Sequence, residues 1–114
     1  MKIILAGSRS IIDRKHVVKV IIKADWHITE VVSGGAKGVD TLGEDWAKIN
    51  EIPIKCFPAE WSKYGKSAGY KRNEQMADYA EALIAIWDGK SRGTFHMINI
   101  ARKKKLRVCV YIVD

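Results

Sequence analysis

Short apolar runs alternate with helix-period segments along the whole chain, and this alternation limits the possible folds more than any other feature. Lys2–Ala6 reads as a buried strand, ended by Gly7-Ser8-Arg9. Residues 13–24 read as a helix. Val17, Val18, Ile21 and Ile22 recur there at helical spacing, and Asp13 is placed to cap the first turn. Glu30–Ser33 is a second short strand, broken by Gly34-Gly35. Residues 39–50 make a second helix with Leu42, Trp46 and Ile49 on one face. Pro53 marks the entry to a third strand, Ile54–Phe57. The polar stretch from Pro58 to Gly69 reads as a long loop, of a length usually tied to function or mobility. A third helix over 70–79, a fully apolar strand Ala82–Trp87, a fourth helix over 94–104 and a last strand Arg107–Val113 complete the pattern.

The order is strand-helix repeated four times and closed by a strand. A helix between consecutive strands returns the chain to the same end of a sheet, so the strands run parallel. The expected fold class is α/β. It is a three-layer Rossmann-like domain with a mainly parallel five-stranded sheet and helices on both faces. Ala82–Trp87, apolar throughout, is expected at the centre of that sheet. A chain of 114 residues with 47% hydrophobic residues suits one domain, 1–114, with a real core. A chain this small still exposes much of its surface, so a homodimer or higher homo-oligomer is an expected state.

No run approaches the roughly 18 apolar residues of a membrane span. The start, Met1 to Gly7, is too short for a signal peptide and leads straight into patterned sequence. The expected location is the cytoplasm, with no membrane partner. Cys56 and Cys109 are unclustered and read as buried small hydrophobes, and His16, His27 and His96 are scattered, so no metal site is expected. No particular cofactor is indicated.

The formal charge is +7 and it is unevenly spread. Lys90, Arg92, Arg102, Lys103, Lys104, Lys105 and Arg107 fall in a segment without an acid, as do Lys63, Lys66, Lys71 and Arg72. Such a field favours phosphates, nucleotides or nucleic acid. The Arg102–Lys105 run also falls at a helix end, where cations suit the terminus without any ligand.

In a parallel sheet, ligands bind beyond the carboxyl ends of the strands. The loops expected there are Gly7-Ser8-Arg9-Ser10, Gly34-Gly35-Ala36-Lys37-Gly38-Val39-Asp40, the Pro58–Gly69 segment and Asp88-Gly89-Lys90-Ser91-Arg92-Gly93-Thr94. Three of these four hold glycine beside Lys or Arg. Glycine allows tight turns and close approach of a ligand to the backbone. A following helix N-terminus offers free N–H groups to an anion. The spacing Gly34-Gly35-x-x-Gly38 is neither the dinucleotide fingerprint nor a Walker loop, so neither NAD nor ATP hydrolysis follows. Asp40 either receives a ribose hydroxyl or caps its helix. Glu44 lies one turn later and reads as a solvated charge. Trp61 and Tyr64 either stack a base or pack the loop onto the core. Arg72 and Asn73 begin a helix beside the expected cleft. Asp88 either orients a ligand hydroxyl or holds the loop that follows it.

The ordered set Gly7-Ser8-Arg9, Gly34-Gly35-Ala36-Lys37-Gly38-Val39-Asp40, Arg72-Asn73-x-x-Met76 and Trp87-Asp88-Gly89-x-Ser91-x-Gly93-Thr94 resembles the YspA/YpsA-related branch of the SLOG superfamily. That resemblance implies a Rossmann-like fold that binds nucleotides or nucleotide-derived ligands, to sense or to process them. It implies phosphate contacts from Ser8, Arg9, Gly34, Gly35, Lys37, Gly38, Arg72, Ser91, Arg92, Gly93 and Thr94, and sugar contacts from Asp40 and Asp88. Two relatives of the branch supply alternatives. Lonely Guy phosphoribohydrolases carry an arginine ahead of Pro-Gly-Gly-x-Gly-Thr-x-x-Glu. Arg72 and Gly93-Thr94 match, but Met97 stands at the glutamate. A carboxylate there stabilises developing positive charge on the sugar, and methionine does not. Asp88, Asp40 or Glu44 are the possible substitutes. The DNA-processing protein DprA carries a similar Ser-Gly-x-Ala-x-Gly-Ile-Asp loop, close to Ser33–Asp40, which makes single-stranded nucleic acid the less favoured partner.

Overall fold

The strand Lys2–Gly7 (β1) buries Ile3, Ile4 and Leu5 completely because it is covered on both faces. The computed structural model describes residues 1–113. After β1 come α1 (Arg14–Ala24), β2 (Glu30–Ser33), α2 (Val39–Ile49), β3 (Ile54–Cys56), α3 (Trp61–Tyr64), α4 (Ala68–Tyr79), β4 (Ala82–Trp87), α5 (Arg92–Lys103) and β5 (Arg107–Ile112). The five strands form one all-parallel sheet in the order β3-β2-β1-β4-β5.

Side chains alternate across each strand, so each inner strand feeds two cores. Ile3, Leu5, Ile84 and Ile86 pack with Val17 and Val20 of α1 and Val39 and Ala47 of α2. Ile4, Ala6, Leu83 and Ala85 pack on the other face with Met76 and Ala77 of α4 and Met97, Ile98 and Ala101 of α5. The result is the expected three-layer Rossmann-like arrangement.

Local chemistry sets the helix ends. Asp13 caps α1, its carboxylate accepting from the Lys15 N–H at 3.1 Å. Asp25 closes it in the left-handed conformation, its N–H donating to the Ile21 carbonyl. Arg102 and Lys103 lie in the last turn of α5, where cations oppose the negative end of the helix dipole.

Four expectations change. The 58–69 stretch is not a loop throughout. It forms α3, then a 3-10 turn at Gly65–Ser67, and α4 begins at Ala68. Of its two glycines, Gly65 turns the chain with a positive φ of 57°, and Gly69 lies within α4. β4 is an inner strand but not the middle one, which is β1. Cys56 is exposed, not buried, because β3 is an edge strand with little over it. Val18, Ile22 and Ile49, expected on buried faces, are 40%, 71% and 70% exposed. Among the described residues no helix is long and apolar enough to cross a membrane.

Candidate functional site

The chain leaves β1 for β2 and β3 on one side of the sheet, and places β4 and β5 on the other. The carboxyl ends of β1 and β4 therefore form the switch point where such sheets open a crevice. A cleft of about 240 Å³ lies there, bounded by the end of β1 and the first turns of α4 and α5.

The first turn of α5 forms one wall, through Ser91, Gly93 and Thr94. Ser91 makes no capping hydrogen bond to the helix, and the first turn contains no acid. Helix geometry leaves the leading N–H groups without intrahelical acceptors. These donors and the positive end of the helix dipole thus lie at the cleft. The Ser91 and Thr94 hydroxyls are 3.2 Å apart. A side-chain carbon added at Gly93 would meet nothing within 4 Å, so the backbone here is open to close approach.

Arg72, on α4, lines the opposite wall. Its Nη1 donates to the Gly34 carbonyl at 2.6 Å and its Nε to Asn73 Oδ1 at 3.1 Å. These two bonds fix the guanidinium and leave its other N–H groups unassigned within the chain. Burial holds its pKa below the ordinary arginine value. Asn73, itself buried, donates from Nδ2 to the Gly93 carbonyl and meets His96 Nδ1 at 3.1 Å. It ties the middle of α4 to the start of α5. Burial also lowers the His96 pKa, which suits a neutral ring accepting from that amide.

Two donors of the 34–38 loop, and the first of α2, are used inside the chain. The Gly35 N–H goes to Ser33 Oγ, the Ala36 N–H to Asp40 Oδ2 at 3.2 Å, and the Val39 N–H to the Ser8 carbonyl. The Ala36 bond goes to the chain's own Asp40. That carboxyl is 6% exposed and lines the cleft. Burial pushes its pKa up to about 6, against the opposing pull of the Ala36 N–H and the Arg72 charge. Gly38 has φ +75°, and an added carbon there would sit 2.5 Å from the Ser8 carbonyl oxygen. An added carbon at Gly34 would strike the Arg72 guanidinium at 2.6 Å, and one at Gly7 the Ile86 carbonyl at 2.0 Å. Gly7 and Gly38 make room for passing backbone, and Gly34 makes room for the Arg72 guanidinium.

The structure therefore brings together Gly7, Arg9, Ala36, Asp40, Arg72, Asn73, Ser91, Gly93 and Thr94 from the residues singled out in the sequence. Gly34 lies behind Arg72. Gly35, Lys37 and Arg92 are exposed and not part of the cleft lining. Ser8 is buried, its Oγ accepting from the Asp88 N–H at 3.0 Å, which pins the end of β1 to the end of β4. Asp88 lines a separate hollow with Ser10 and His16. Its Oδ1 accepts from the N–H groups of Lys90 and Ser91, both at 2.8 Å, and these bonds hold its carboxyl below the usual carboxylate range. It shapes the turn that presents α5. Glu44 is also away from the cleft lining, where it accepts from the Ser33 hydroxyl at 2.7 Å.

The cleft takes in one of the two rings weighed for base stacking, Trp61 but not Tyr64, and adds residues that sequence reasoning did not place. Trp61 and Tyr70, 54% and 46% exposed, line it together with Lys66. Tyr70 leans on the His96 ring, with centroids 4.4 Å apart. The aromatic-and-lysine composition of 61–72 was the available signal. The helical turn that carries Trp61 over Gly69 was hidden by the glycines. Met76 and Met97, buried, line the same cleft. Met97 thus sets an apolar side chain where the phosphoribohydrolase pattern has its glutamate.

A model of the YspA, cpYpsA-related SLOG family matches residues 1–64, which is more than half of the chain. The chain belongs to this SLOG family. The matched segment holds Gly7–Arg9 and the whole Gly34–Asp40 loop, whereas Arg72 and the Trp87–Thr94 motif lie beyond it. Two relatives are similar to this SLOG protein. The gene 61 protein of Mycobacterium phage D29 is 35% identical over 85 residues, which cover 68% of this chain and 67% of the phage protein. The uncharacterized SPbeta prophage-derived protein YoqJ of Bacillus subtilis is 47% identical over 36 residues. That stretch is 32% of this chain and only 21% of YoqJ, so the chain spans about a fifth of that relative. No solved structure matches the chain.

Proposed function

We propose that this SLOG protein binds a nucleotide or nucleotide-derived ligand, a nucleoside phosphate or an ADP-ribose-like molecule, as a sensor, carrier or sequestering protein. One observation carries this reading. The uncapped first turn of α5, the Arg9 and Arg72 side chains and the exposed rings of Trp61 and Tyr70 all line one cleft at the switch point of the sheet. Those are the groups that a phosphate, its charge and a flat base require. In this reading the N–H groups at Gly93 and Thr94 hold a phosphate, and the spare Arg72 donors reach the same group. One of the two rings supports the base and Asp40 accepts a sugar hydroxyl. A cleft of about 240 Å³ is below the roughly 300–1,000 Å³ of drug-sized pockets. It favours one nucleotide unit over a dinucleotide.

Calorimetric titration with nucleoside mono- and diphosphates and ADP-ribose tests this. Replacing Arg72 by Ala removes a charge-assisted contact worth about 1.5–3 kcal/mol. Affinity for the best ligand is therefore expected to fall roughly 10- to 100-fold. Unchanged affinity in Arg72→Ala, or no binding by any member of the panel, would sink the site. Oligonucleotide binding that weakens steeply with salt would point instead to single-stranded nucleic acid.

A second reading, hydrolysis of a nucleotide or nucleotide-sugar bond, rests on Asp40. Of the three carboxylates weighed as substitutes for the glutamate at Met97, it is the one that lines the cleft. A buried carboxyl with a pKa near neutrality is a common mark of a reacting group. Chromatography after incubation with nucleoside monophosphates, ADP-ribose and NAD checks this reading. Release of free base or ribose phosphate by the wild type, and none by Asp40→Asn, is the expected pattern for a hydrolase. Recovery of every compound intact leaves the binding function alone.

A further inference from the structure

Helix α1 sends Val17 and Val20 into the core but leaves Val18 and Ile22 outside, and α2 leaves Ile49 outside in the same way. Between these helices runs a groove of about 520 Å³, mainly apolar, formed by Val18, Leu42, Trp46 and Ile49. Arg14 lies on the α1 side of the groove and Asp45 on the α2 side. Neither takes part in an ion pair within the described residues, where the pairs are Lys15–Asp13 and Lys104–Asp78. The α1/α2 layer covers the face of the sheet opposite α4 and α5, whose first turns bound the ligand cleft.

We infer that this groove is the seat of a second copy of the same chain, packed about a two-fold axis with α1 of each protomer against α2 of the other. The charges decide the occupant and the arrangement. α1 carries Arg14, Lys15, Lys19 and Lys23 and no acid, so two α1 helices repel if stacked directly. Crossed against α2, the Arg14 of one protomer meets the Asp45 of its partner, and the symmetry repeats that pair. The same crossing lays Val18 and Ile22 over the partner's Ile49 and Trp46. A single face that holds both an apolar stripe and both members of an ion pair is complementary to itself. An interface of ordinary size takes about 800 Å² from each partner, roughly an eighth of this chain's 6743 Å². Both clefts stay open in this dimer, so the inference stands apart from the ligand reading.

Sedimentation velocity of the full chain at micromolar concentration tests it. The expected species has twice the 12.9 kDa chain mass. Ile22→Glu and Ile49→Glu, at exposed positions, are each expected to raise the dimer dissociation constant roughly tenfold or more. Arg14→Asp and Asp45→Arg are each expected to be monomeric, since each places like charges across the axis. Mixing these two proteins is expected to restore a dimer, one copy of each, because both cross-axis pairs then become opposite in sign. A monomeric wild type overturns the inference, whether the groove is then left to a different protein or to a small apolar molecule. So does a dimer indifferent to Ile22→Glu and Ile49→Glu, or a mixture of the two charge variants that stays monomeric. Circular dichroism of each variant separates lost association from lost fold.

Discussion

Gly38→Ala is expected to lower the stability of the chain by about 3 kcal/mol or more, while Gly93→Ala changes it by less than about 1 kcal/mol. Both glycines belong to motifs that read alike in sequence, a glycine at the start of a helix after a strand. Their surroundings differ. Gly38 has φ 75° and ψ −128°, a conformation a residue with a Cβ avoids. Its missing Cβ is where the Ser8 carbonyl and the Arg9 backbone pass, at 2.5 and 2.6 Å. A methyl there strains its own residue and pushes β1's loop away from α2. Both partners are backbone, so no side chain can rotate aside. Gly93 carries neither constraint, because its φ is not positive and the space beside it is open. That open space faces the proposed ligand, so Gly93→Ala is expected to keep its fold and to weaken nucleotide binding. Urea denaturation gives the two stabilities, and calorimetry the affinity of the second variant. Equal stability losses would show that the two glycines do the same job.

That contrast marks how far the sequence could be read. The period of the apolar residues is a local property, so strand, helix and their alternation were legible from Lys2 to Ile112. The parallel sheet and the two helical layers follow from that alternation. The edge at which the cleft opens was legible as well, since every strand-to-helix loop lies there. What an individual loop does there depends on tertiary neighbours. The Gly34–Asp40 loop has the composition of an anion cradle, and one of its N–H groups, that of Ala36, bonds to Asp40 from the helix that follows. Asp88 looked equally suited to a ligand or to its loop, and its two bonds to Lys90 and Ser91 are loop bonds. The Trp61 and Tyr70 wall was obscured for a different reason. Glycine lowers helix propensity, yet Gly69 sits in the first turn of α4, with a Trp61 ring atom 3.5 Å from where its Cβ would be. A glycine in the first turn weakens a helix less than one in its interior, which composition alone does not show. The outward Val18, Ile22 and Ile49 are the same problem in reverse, since apolar periodicity shows that a face is sticky but not what covers it.

Asp40→Asn is expected to stabilise the protein at neutral pH and to flatten its pH dependence in mildly acidic solution. The wild-type carboxyl titrates at about 6 in the folded chain, against an ordinary 3.8. Folding therefore favours its protonated form. Below pH 3.8 the group is protonated in both states and costs nothing. As the pH rises from there to about 6, the folded state retains a proton that the unfolded state has lost, and stability falls. Above that window the carboxylate is charged in both states and the full cost remains. Two pH units at 1.36 kcal/mol each make that cost about 3 kcal/mol. Asparagine keeps a carbonyl oxygen for the Ala36 N–H and carries no charge to desolvate. The variant should match the wild type near pH 4 and exceed it by about 3 kcal/mol at pH 7 and above. Denaturation curves of both proteins across that range give the difference directly, and titrating groups remote from Asp40 cancel in the subtraction. Parallel curves would mean that Asp40 titrates normally and is not the buried acid of the cleft. A buried charge that weakens the fold and lines a cleft beside Arg72 is the kind of cost a protein retains at a working site. The same variant should therefore be the more stable protein and the poorer binder.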